Sequence, residues 1–337
     1  MTQLRSEDEI IRCWSGSIEE PKVSILCPTF NHGEYIHQAL EGFLLQETKF
    51  PFQIVVHDDA SSDNTAKVIR DYASRYPKII KPIIQKENLV SRGISRTPYV
   101  EPLLTGKFIA LCEGDDYWID PKKLQKQVDF MEKDPSISMS FHPANVIFTG
   151  LSGKTSVRNV FPHETSFSLD YALIYGGGFY PTASSLLKNE AYKFYLDLEV
   201  RPAAGDTAIP VLAGKIGRIV YFDEVMSVYR HHKGGATKAV LNRSQRKRFK
   251  HRHRQFKKDL RFIDWLYSEK AISSTTRNKA RDQRHAIIIS EALKYRQFFF
   301  AKCLWLKFGH HFDTMTNFRL LAKFILSSLK IRWGNYN

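Results

Sequence analysis

The chain has 337 residues, of which 43% are hydrophobic and 25% are charged, and this ordinary composition excludes a wholly disordered protein. Its formal net charge of +15 is unusual and favours anionic partners such as a phosphorylated ligand, nucleic acid or anionic lipid. The four cysteines form no CxxC pair and no apolar run reaches the ~20 residues of a membrane helix, so we expect no zinc site, disulfide framework or membrane span.

The first 150 residues alternate between strand-like and helix-like patterns after a polar beginning. Residues 1–10 are too polar and acidic for a signal peptide, so we expect a cytoplasmic location. Apolar residues recur at helical spacing over about 34–46, and Ser62 or Asp63 can cap a second helix. Short apolar runs predict four strands, at Val23–Cys27, Phe52–Val56, Ile79–Ile84 and Phe108–Leu111. The alternation predicts an α/β fold with a mostly parallel sheet covered on both faces.

The remainder of the chain is less regular. Strand-like pieces occur at Ser138–Phe148, Ala183–Leu187 and Arg218–Val228. The run Gly176–Gly178 could let an acceptor approach the backbone, but we interpret it as a turn. Beyond Ala239 the sequence is helical and basic.

Polar clusters follow three of the predicted strands at the point where each strand ends. They are Pro28–Asn31, His57–Ser61 and Glu113–Asp116. In parallel α/β sheets ligands bind beyond the carboxyl ends of the strands, so we expect the three clusters to converge on one crevice.

The cluster Glu113–Asp116 carries three carboxylates within four residues. Such charges repel one another unless a cation or ligand donors lie between them, and their oxygens suit Mg²⁺ or Mn²⁺ carrying phosphate. An alternative is a solvated acidic turn that caps a helix starting near Pro121. The position beside two other polar clusters favours the cation site. Trp118, just after the acids, either stacks on a sugar or packs beneath the sheet.

These motifs resemble the inverting family 2 of nucleotide-sugar glycosyltransferases. The resemblance rests on Pro28-Thr29-Phe30-Asn31, Asp58-Asp59-Ala60-Ser61-Ser62-Asp63-Asn64-Thr65 and Glu113-Gly114-Asp115-Asp116. It is tight over residues 23–134 and weaker to about 237. It implies an α/β fold of the GT-A type, a nucleotide-binding domain with a mostly parallel sheet, followed by a helical C-terminal region. The implied domains are an N-terminal extension at 1–20, a catalytic domain at 21–239 with a nucleotide-binding half (21–135) and an acceptor half (136–239), and a basic helical region at 240–337.

The resemblance also assigns roles to individual residues. Asp206, within Gly205-Asp206-Thr207, matches the catalytic acid that takes the acceptor's proton. Asp115 and His232 are the implied metal ligands, with Mn²⁺ or Mg²⁺ offsetting the charge of the leaving diphosphate. The implied donor-binding residues are Pro28, Thr29, Asn31, Asp59, Asn88, Arg96, Glu113, Asp116 and Arg230. An inverting transfer is a single in-line displacement, so no enzyme nucleophile is expected.

Three positions depart from the family pattern. Glu113 replaces the usual first aspartate of the acidic signature, and Val90 and Thr97 replace the usual glycine and asparagine of the 86–98 loop. These departures bear on the assignment of that loop and not on the acids. For Arg230 and His232, the alternative is a basic loop with solvated histidines.

Residues 240–337 allow three interpretations. Basic residues crowd 243–258, and no acidic residue lies between 225 and 258. Near the end, a set of apolar and basic residues suits an interfacial helix: Leu320, Leu321, Phe324, Ile325 and Leu329, with Lys323, Lys330 and Arg332. We favour peripheral association with an anionic membrane, at the inner face of the plasma membrane, over a helical subdomain packed on the catalytic domain. Nucleic acid is not expected as a partner, because no recognised binding module surrounds residues 248–256.

The sequence therefore predicts a metal-dependent inverting glycosyltransferase. Its expected reaction moves a sugar from a nucleoside diphosphate sugar to a hydroxyl of a glycan or lipid-linked acceptor, in surface polysaccharide or glycoconjugate biosynthesis. One alternative is a nucleotidyltransferase, which would normally carry a Gly-rich loop with Lys or Arg where this chain has Pro28–Asn31. The other is a non-catalytic scaffold that binds nucleotide sugars, against which the intact acids argue.

Overall fold

The computed structural model describes residues 4–149, 155–162, 165–232, 235, 244–317 and 319–323. The backbone divides into two compact units. The first comprises Met1–Leu169, Gly178–Leu198 and Ile209–Gly234, and the second comprises Asp170–Gly177, Glu199–Ala208 and Gly235–Asn337. The domain boundaries that the sequence suggests stay a prediction.

The strands of the described chain all belong to the first unit. In chain order they are β1 (Val23–Thr29), β2 (Phe52–Asp58), β3 (Ile80–Ile84), β4 (Phe108–Leu111), β5 (Tyr117–Trp118), β6 (Ile137–Phe141), β7 (Ala144–Phe148), β8 (Thr155–Arg158), β9 (Ser166–Phe167), β10 (Leu186–Lys188), β11 (Arg218–Tyr221) and β12 (Ser227–His231). The α-helices are α1 (Glu7–Ile11), α2 (Ile36–Leu44), α3 (Thr65–Arg75), α4 (Thr97–Val100), α5 (Lys123–Lys133), α6 (Leu169–Tyr175), α7 (Asn189–Leu196), α8 (Gly205–Ile216), α9 (Gln245–Ser268), α10 (Ser274–Lys294) and α11 (Phe298–Phe308).

Eight strands form the large sheet, in the order β3-β2-β1-β4-β10-β6-β11-β9. β1 pairs in parallel with β2 and β4, and β2 pairs in parallel with β3, so these four neighbours run in one direction. β10 is antiparallel to both β4 and β6, while β11 is parallel to β6. The predicted α/β fold with a mostly parallel sheet is confirmed.

A second sheet has the order β5-β12-β7-β8. Two of the predicted strands are divided between this sheet and the large one. The single piece expected over Ser138–Phe148 is divided into β6 in the large sheet and β7 in the small one. Pro143 lies between them and has no N–H to continue a strand ladder. The piece expected over Arg218–Val228 is divided in the same way into β11 and β12.

The core of the first unit follows from the apolar runs of the central strands. Every residue of β2 is buried, and six of the seven residues of β1 are buried. β3 lies at the edge of the sheet and contains Pro82. An edge strand tolerates proline because one side of its backbone has no partner strand.

The second unit is helical in its C-terminal part, as predicted. α10 and α11 share a core of buried residues with the segments that follow them: Ile289, Ala292, Leu293, Ala301, Phe312 and Leu320. Leu320, expected on an interfacial face, is thus in this core, whereas Leu321 is exposed. The other expected interfacial residues, Phe324, Ile325, Leu329, Lys330 and Arg332, lie outside the described residues. Within the described part of the chain, no helix has the length and apolar character needed to cross a membrane.

Candidate active site

The three predicted polar clusters are neighbours because β1 lies between β2 and β4. Beyond the paired strands, the Asp59 N–H donates to the carbonyl of Thr29 at 3.0 Å, and the Gly114 N–H donates to the carbonyl of Pro28 at 3.1 Å. A Cβ atom on Gly114 would lie 2.8 Å from the Thr29 hydroxyl oxygen, so the acidic loop passes β1 at a distance that only glycine allows. The carboxyl ends of the strands therefore bring the clusters to one edge of the sheet.

The loop after β1 is fixed by the loop after β2. Asn31 has a φ of 55°, in the left-handed region that asparagine adopts more readily than most residues. Its N–H donates to the Ser61 hydroxyl at 2.8 Å, and its side-chain oxygen accepts the Ser62 N–H at 2.8 Å. The His32 N–H donates to the Thr65 hydroxyl at 2.8 Å. These bonds hold the His32 backbone in one place.

The predicted cap of α3 was Ser62 or Asp63, but neither residue stands at the N-cap of that helix. Asn64 stands at the N-cap of this helix, without a side-chain cap. The Asp63 carboxylate accepts the N–H of Gly33 at 2.9 Å and that of Thr65 at 2.9 Å. It thereby joins the two loops.

Asp59 and Asn88, both predicted to bind the donor, lie together. The Asp59 carboxylate accepts the backbone N–H of Leu89 at 2.7 Å and of Val90 at 3.1 Å. The Asn88 side chain donates to the Asp59 carbonyl at 3.0 Å. Asp59 therefore shapes the loop that begins at Asn88, in addition to any contact with a ligand.

Asp115 lies beside two histidines. The His232 Nε2 is 2.9 Å from the Asp115 Oδ2, and the His32 Nε2 is 3.6 Å from the same oxygen. Ligand atoms of the three residues lie within 4.8 Å of one another. In the described part of the chain, His32 Nδ1 and Asp115 Oδ1 are buried atoms with no hydrogen-bond partner. Burial lowers the pKa of His32, although Asp115 opposes the shift, and this favours the neutral imidazole that metals bind.

Asp116 and Arg230 stabilise the acidic loop through contacts with each other and with Asp115. Asp116 is 1% exposed and accepts the Arg230 N–H at 2.9 Å. Burial, followed by repulsion from Asp115 and Glu113, raises the pKa of Asp116 well above its ordinary value. The Arg230 guanidinium donates to the Asp115 carbonyl at 2.5 Å and to the Gln38 side chain, and its carbon lies 4.3 Å from the centre of the Tyr117 ring.

The acidic loop does not cap α5. That helix begins at Lys123, with β5 between it and the acids. Trp118 in β5 is 3% exposed and donates its indole N–H to the Ala183 carbonyl at 2.8 Å. Of the two interpretations of Trp118, packing is confirmed and sugar stacking is wrong.

A sequence model described as glycosyl transferase family 2 matches residues 24–194, about half of the chain, and this range includes all three polar clusters. The chain belongs to glycosyltransferase family 2.

This family 2 chain is also similar to curated proteins over part of its length. An uncharacterized protein of Mycobacterium tuberculosis is 35% identical over 213 residues, which are 63% of this chain and 60% of the relative. The match thus spans less than two thirds of that relative's length. An uncharacterized glycosyltransferase of Methanocaldococcus jannaschii is 32% identical over 127 residues, 37% of this chain and 42% of the relative.

A solved structure shows the same fold over nearly the whole length. The crystal structure of S. aureus TarS 1-349 superposes with a TM-score of 0.58 at 15% identity, covering 93% of this chain and 92% of that chain. At this identity the likeness concerns the fold alone. It agrees with the GT-A fold expected from the family motifs.

Asp206, the predicted catalytic acid of this family 2 chain, lies in the second unit. It stands in the first turn of α8 and keeps solvent-exposed surface. The surrounding protein still desolvates its carboxylate, and this raises its pKa. A Cβ atom on Gly177 would lie 2.7 Å from the Asp206 Cγ. Gly176 has a φ of 72° and Gly177–Phe179 form a 3₁₀ helix, so the glycine run is a turn as predicted, and part of it lies against Asp206.

Two predicted donor-binding residues lie at the margin of the clusters. Arg96 directly precedes α4. Burial is the main cause of the lowered pKa of His57, and the charge of Arg96 is the next cause. Glu113 is exposed at the start of the acidic loop.

The sequence reasoning missed His32 and Gln38. His32 directly follows Asn31, so its place after a strand was the available signal. Gln38 lies in α2 and carried no comparable signal, because its bond to Arg230 joins residues far apart in the sequence.

Proposed function

We propose that this protein is a metal-dependent inverting glycosyltransferase. It transfers a sugar from a nucleoside diphosphate sugar to a hydroxyl of a glycan or lipid-linked acceptor, in surface polysaccharide or glycoconjugate biosynthesis. The observation that carries the proposal is the group of Asp115, His232 and His32 at the carboxyl edge of the sheet in a family 2 chain. TarS, which shares the fold, has been crystallised in complex with UDP-GlcNAc, and this supports uridine nucleotides as the first probes.

Asp115, His232 and His32 would hold the metal. The two buried, unpartnered atoms in this group fit a cation site, since a buried polar atom without a partner is costly. When bound, a divalent cation offsets the negative charge that develops on the leaving diphosphate. Imidazole donors suit Mn²⁺ better than Mg²⁺, which prefers oxygen ligands, so we propose Mn²⁺.

The remaining predicted residues would bind and orient the donor. Pro28 and Thr29 line the end of β1, and Asp59 with Asn88 forms the neighbouring loop. Asn31 fixes the loop that carries His32. The other donor contacts that we propose are Arg96, Glu113, Asp116 and Arg230.

Asp206 would act as the general base. The acceptor oxygen attacks the anomeric carbon, the bond from that carbon to the diphosphate oxygen breaks, and the hydroxyl proton passes to the Asp206 carboxylate. A raised pKa suits this role, because a stronger base accepts the proton more readily. Its exposed surface leaves room for an acceptor.

Replacement of Asp206 by Asn tests the reaction. We expect Asp206→Asn to lower the turnover of the nucleotide sugar by at least ~100-fold, because general-base catalysis contributes that much. The thermal shift that UDP, GDP or a nucleotide sugar causes with Mn²⁺ should stay unchanged. The exposed Asp197, replaced by Asn, is the matched control and should keep its turnover.

The alternatives give different results in the same assay. A nucleotidyltransferase would consume a nucleoside triphosphate and release pyrophosphate. A scaffold would bind the nucleotide sugar without turnover in the unchanged protein. Full turnover by Asp206→Asn would remove Asp206 from the role of base.

Metal binding tests the three ligands independently of the reaction. We expect His32→Ala and His232→Ala each to weaken Mn²⁺ binding at least ~10-fold in calorimetric or electron paramagnetic resonance titrations with UDP present. His37→Ala is the matched control, because His37 is an exposed histidine of the nearby α2. Wild-type Mn²⁺ affinity in His32→Ala would remove His32 from the ligand set.

A further inference from the structure

The second unit holds an ion pair with a buried arginine, and the reaction described above does not use it. The Nε of Arg284 in α10 lies 3.6 Å from the Oδ2 of Asp259 in α9. Arg284 is 6% exposed. Burying a guanidinium is costly unless its donors are satisfied, so its other partners indicate what the pair holds in place.

The pair ties together two segments of backbone. Arg284 donates from Nη1 to the Ile174 carbonyl and from Nη2 to the Leu173 carbonyl, both at 2.9 Å, at the end of α6. Asp259 accepts the N–H of Ala203 at 2.8 Å, just before α8 begins. One ion pair therefore fixes the end of α6 and the approach to α8.

Both segments adjoin Asp206. The first continues into Gly177, where a Cβ atom would lie 2.2 Å from the Asp206 carbonyl oxygen. At Gly176, a Cβ atom would lie 3.4 Å from Nη2 of Arg284 and 3.9 Å from the Thr207 hydroxyl. The second segment reaches Asp206 three residues after Ala203. The position of the Asp206 carboxylate thus depends on backbone that Arg284 and Asp259 hold.

We propose that Arg284 and Asp259 are positioning residues that hold the Asp206 carboxylate in place to accept the acceptor's proton. This proposal rests on the proposed role of Asp206 as general base. The basic helical region thereby contributes to the reaction through α9 and α10, apart from any binding to a surface. A displacement of about 1 Å in a reacting group can cost ~100-fold in rate, so loosening this support should be measurable.

Kinetics of Arg284 variants test the proposal. We expect Arg284→Met to lower turnover of the nucleotide sugar by about 100-fold while the dissociation constant of UDP with Mn²⁺ changes less than about twofold. Arg284→Lys should recover part of the rate, because lysine keeps the charge but not the planar fork that reaches two carbonyls. Arg277→Met is the matched control, because Arg277 lies on the same helix and pairs with Asp264 at 2.8 Å.

A second measurement needs no substrate. Carboxyl ¹³C NMR, with the Asp206 signal assigned by its loss in Asp206→Asn, gives the pKa of Asp206 directly. Desolvation raises that pKa in the intact protein, so a loosened carboxylate should titrate closer to its ordinary value in Arg284→Met. Burial raises the pKa of Asp259 and the charge of Asp206 raises it further, while Arg284 lowers it, so Asp259→Asn is titrated alongside as a second control. The Arg277→Met protein should titrate as the wild type does.

The outcomes separate this proposal from the proposed function. An unchanged Asp206 pKa or full turnover in Arg284→Met, with Asp206→Asn inactive, would overturn the positioning role alone. Full turnover in Asp206→Asn would overturn the general base and the catalytic role of the pair with it. If Arg284→Met does not fold by circular dichroism, Arg284→Lys and Asp259→Asn carry the same measurements.

Discussion

Lys123 is an ammonium group buried inside the first unit, where lysine is rarely found. Its Nζ lies 4.2 Å from the centre of the Trp118 ring and donates to the Gln127 side chain at 2.7 Å. Burial lowers the pKa of Lys123 to about 7. The contact with the indole and the hydrogen bond offset only part of the cost of burying the charge.

Replacing Lys123 with Met should stabilise the protein, and more so at low pH. The unfolded chain keeps the proton on Lys123 up to about pH 10, whereas the folded protein releases it near pH 7. The unfolded state therefore binds more protons between these values, and the free energy of unfolding of the wild type rises with pH there. Urea titrations at pH 6 and pH 9 measure the free energy of unfolding of the wild type and of Lys123→Met. One unit of pKa shift corresponds to roughly 1.4 kcal/mol of that free energy. An equal gain at both pH values would contradict the assignment.

Some residues of the site could be predicted from the sequence, and others could not. The acids of the 113–116 loop were predictable because a strand precedes them and carboxylates repel without a partner. His32 was not predicted as their neighbour, because its approach to Asp115 depends on the left-handed Asn31 and on hydrogen bonds from the loop after β2. Such long-range bonds leave no local pattern in the sequence.

At the scale of elements, α2 packs against β5 closely enough to require glycine. A Cβ atom on Gly42 would lie 2.8 Å from the carbonyl oxygen of Trp118 and 3.1 Å from its nitrogen. Both are backbone atoms and cannot rotate away. The spacing of Ile36, Leu40 and Phe43 predicts the helix, but it gives no sign of this contact.

We therefore expect Gly42→Ala to destabilise the protein by about 1–3 kcal/mol, the usual cost of overpacking, despite the higher helix propensity of alanine. Gly178→Ala is the control, since no atom lies within 4 Å of the added methyl. The free energy of unfolding from urea denaturation of both variants checks this. Equal stability of Gly42→Ala and the wild type would show that α2 can shift at no cost.

The strands were predicted where they are buried and missed where the chain changes sheet. β1, β2 and β4 are mostly apolar and almost wholly buried, which is typical of strands covered on both faces. The break between β6 and β7 has a local cause in Pro143. The place of β10 between β4 and β6 has none, because its antiparallel pairing joins segments far apart in the sequence.

The charge of the whole molecule is concentrated in α9. Between residues 246 and 258 it exposes a set of basic side chains that includes Arg246, Lys247, Lys250, Arg254, Lys257 and Lys258. A surface of this kind attracts anionic lipid, and we propose peripheral association with the inner face of the plasma membrane. Leu320 packs in the core of the second unit. We therefore propose that α9, and not the end of the chain, makes the membrane contact.

Flotation with anionic liposomes tests this surface. Reversing Lys247, Lys250 and Lys257 to Glu should weaken binding by about 100-fold or more at low salt, at roughly 1 kcal/mol per basic residue. High salt should weaken the wild type in the same direction by screening. As a control of equal charge, Lys78, Lys86 and Lys133, which are exposed in the first unit, are reversed together. Equal loss in both triple variants would show that only net charge matters.

The edge strand β3 bears on how the molecule behaves among its own copies. A large sheet with an open edge offers unpaired backbone groups to any strand that meets it, and this is a common route to aggregation. Pro82 removes one of those donors, and the neighbouring Lys81 brings a charge to the same strand. These two residues therefore disfavour pairing between the sheet edges of separate copies. Binding to a membrane surface would concentrate the protein and make such pairing more frequent without them.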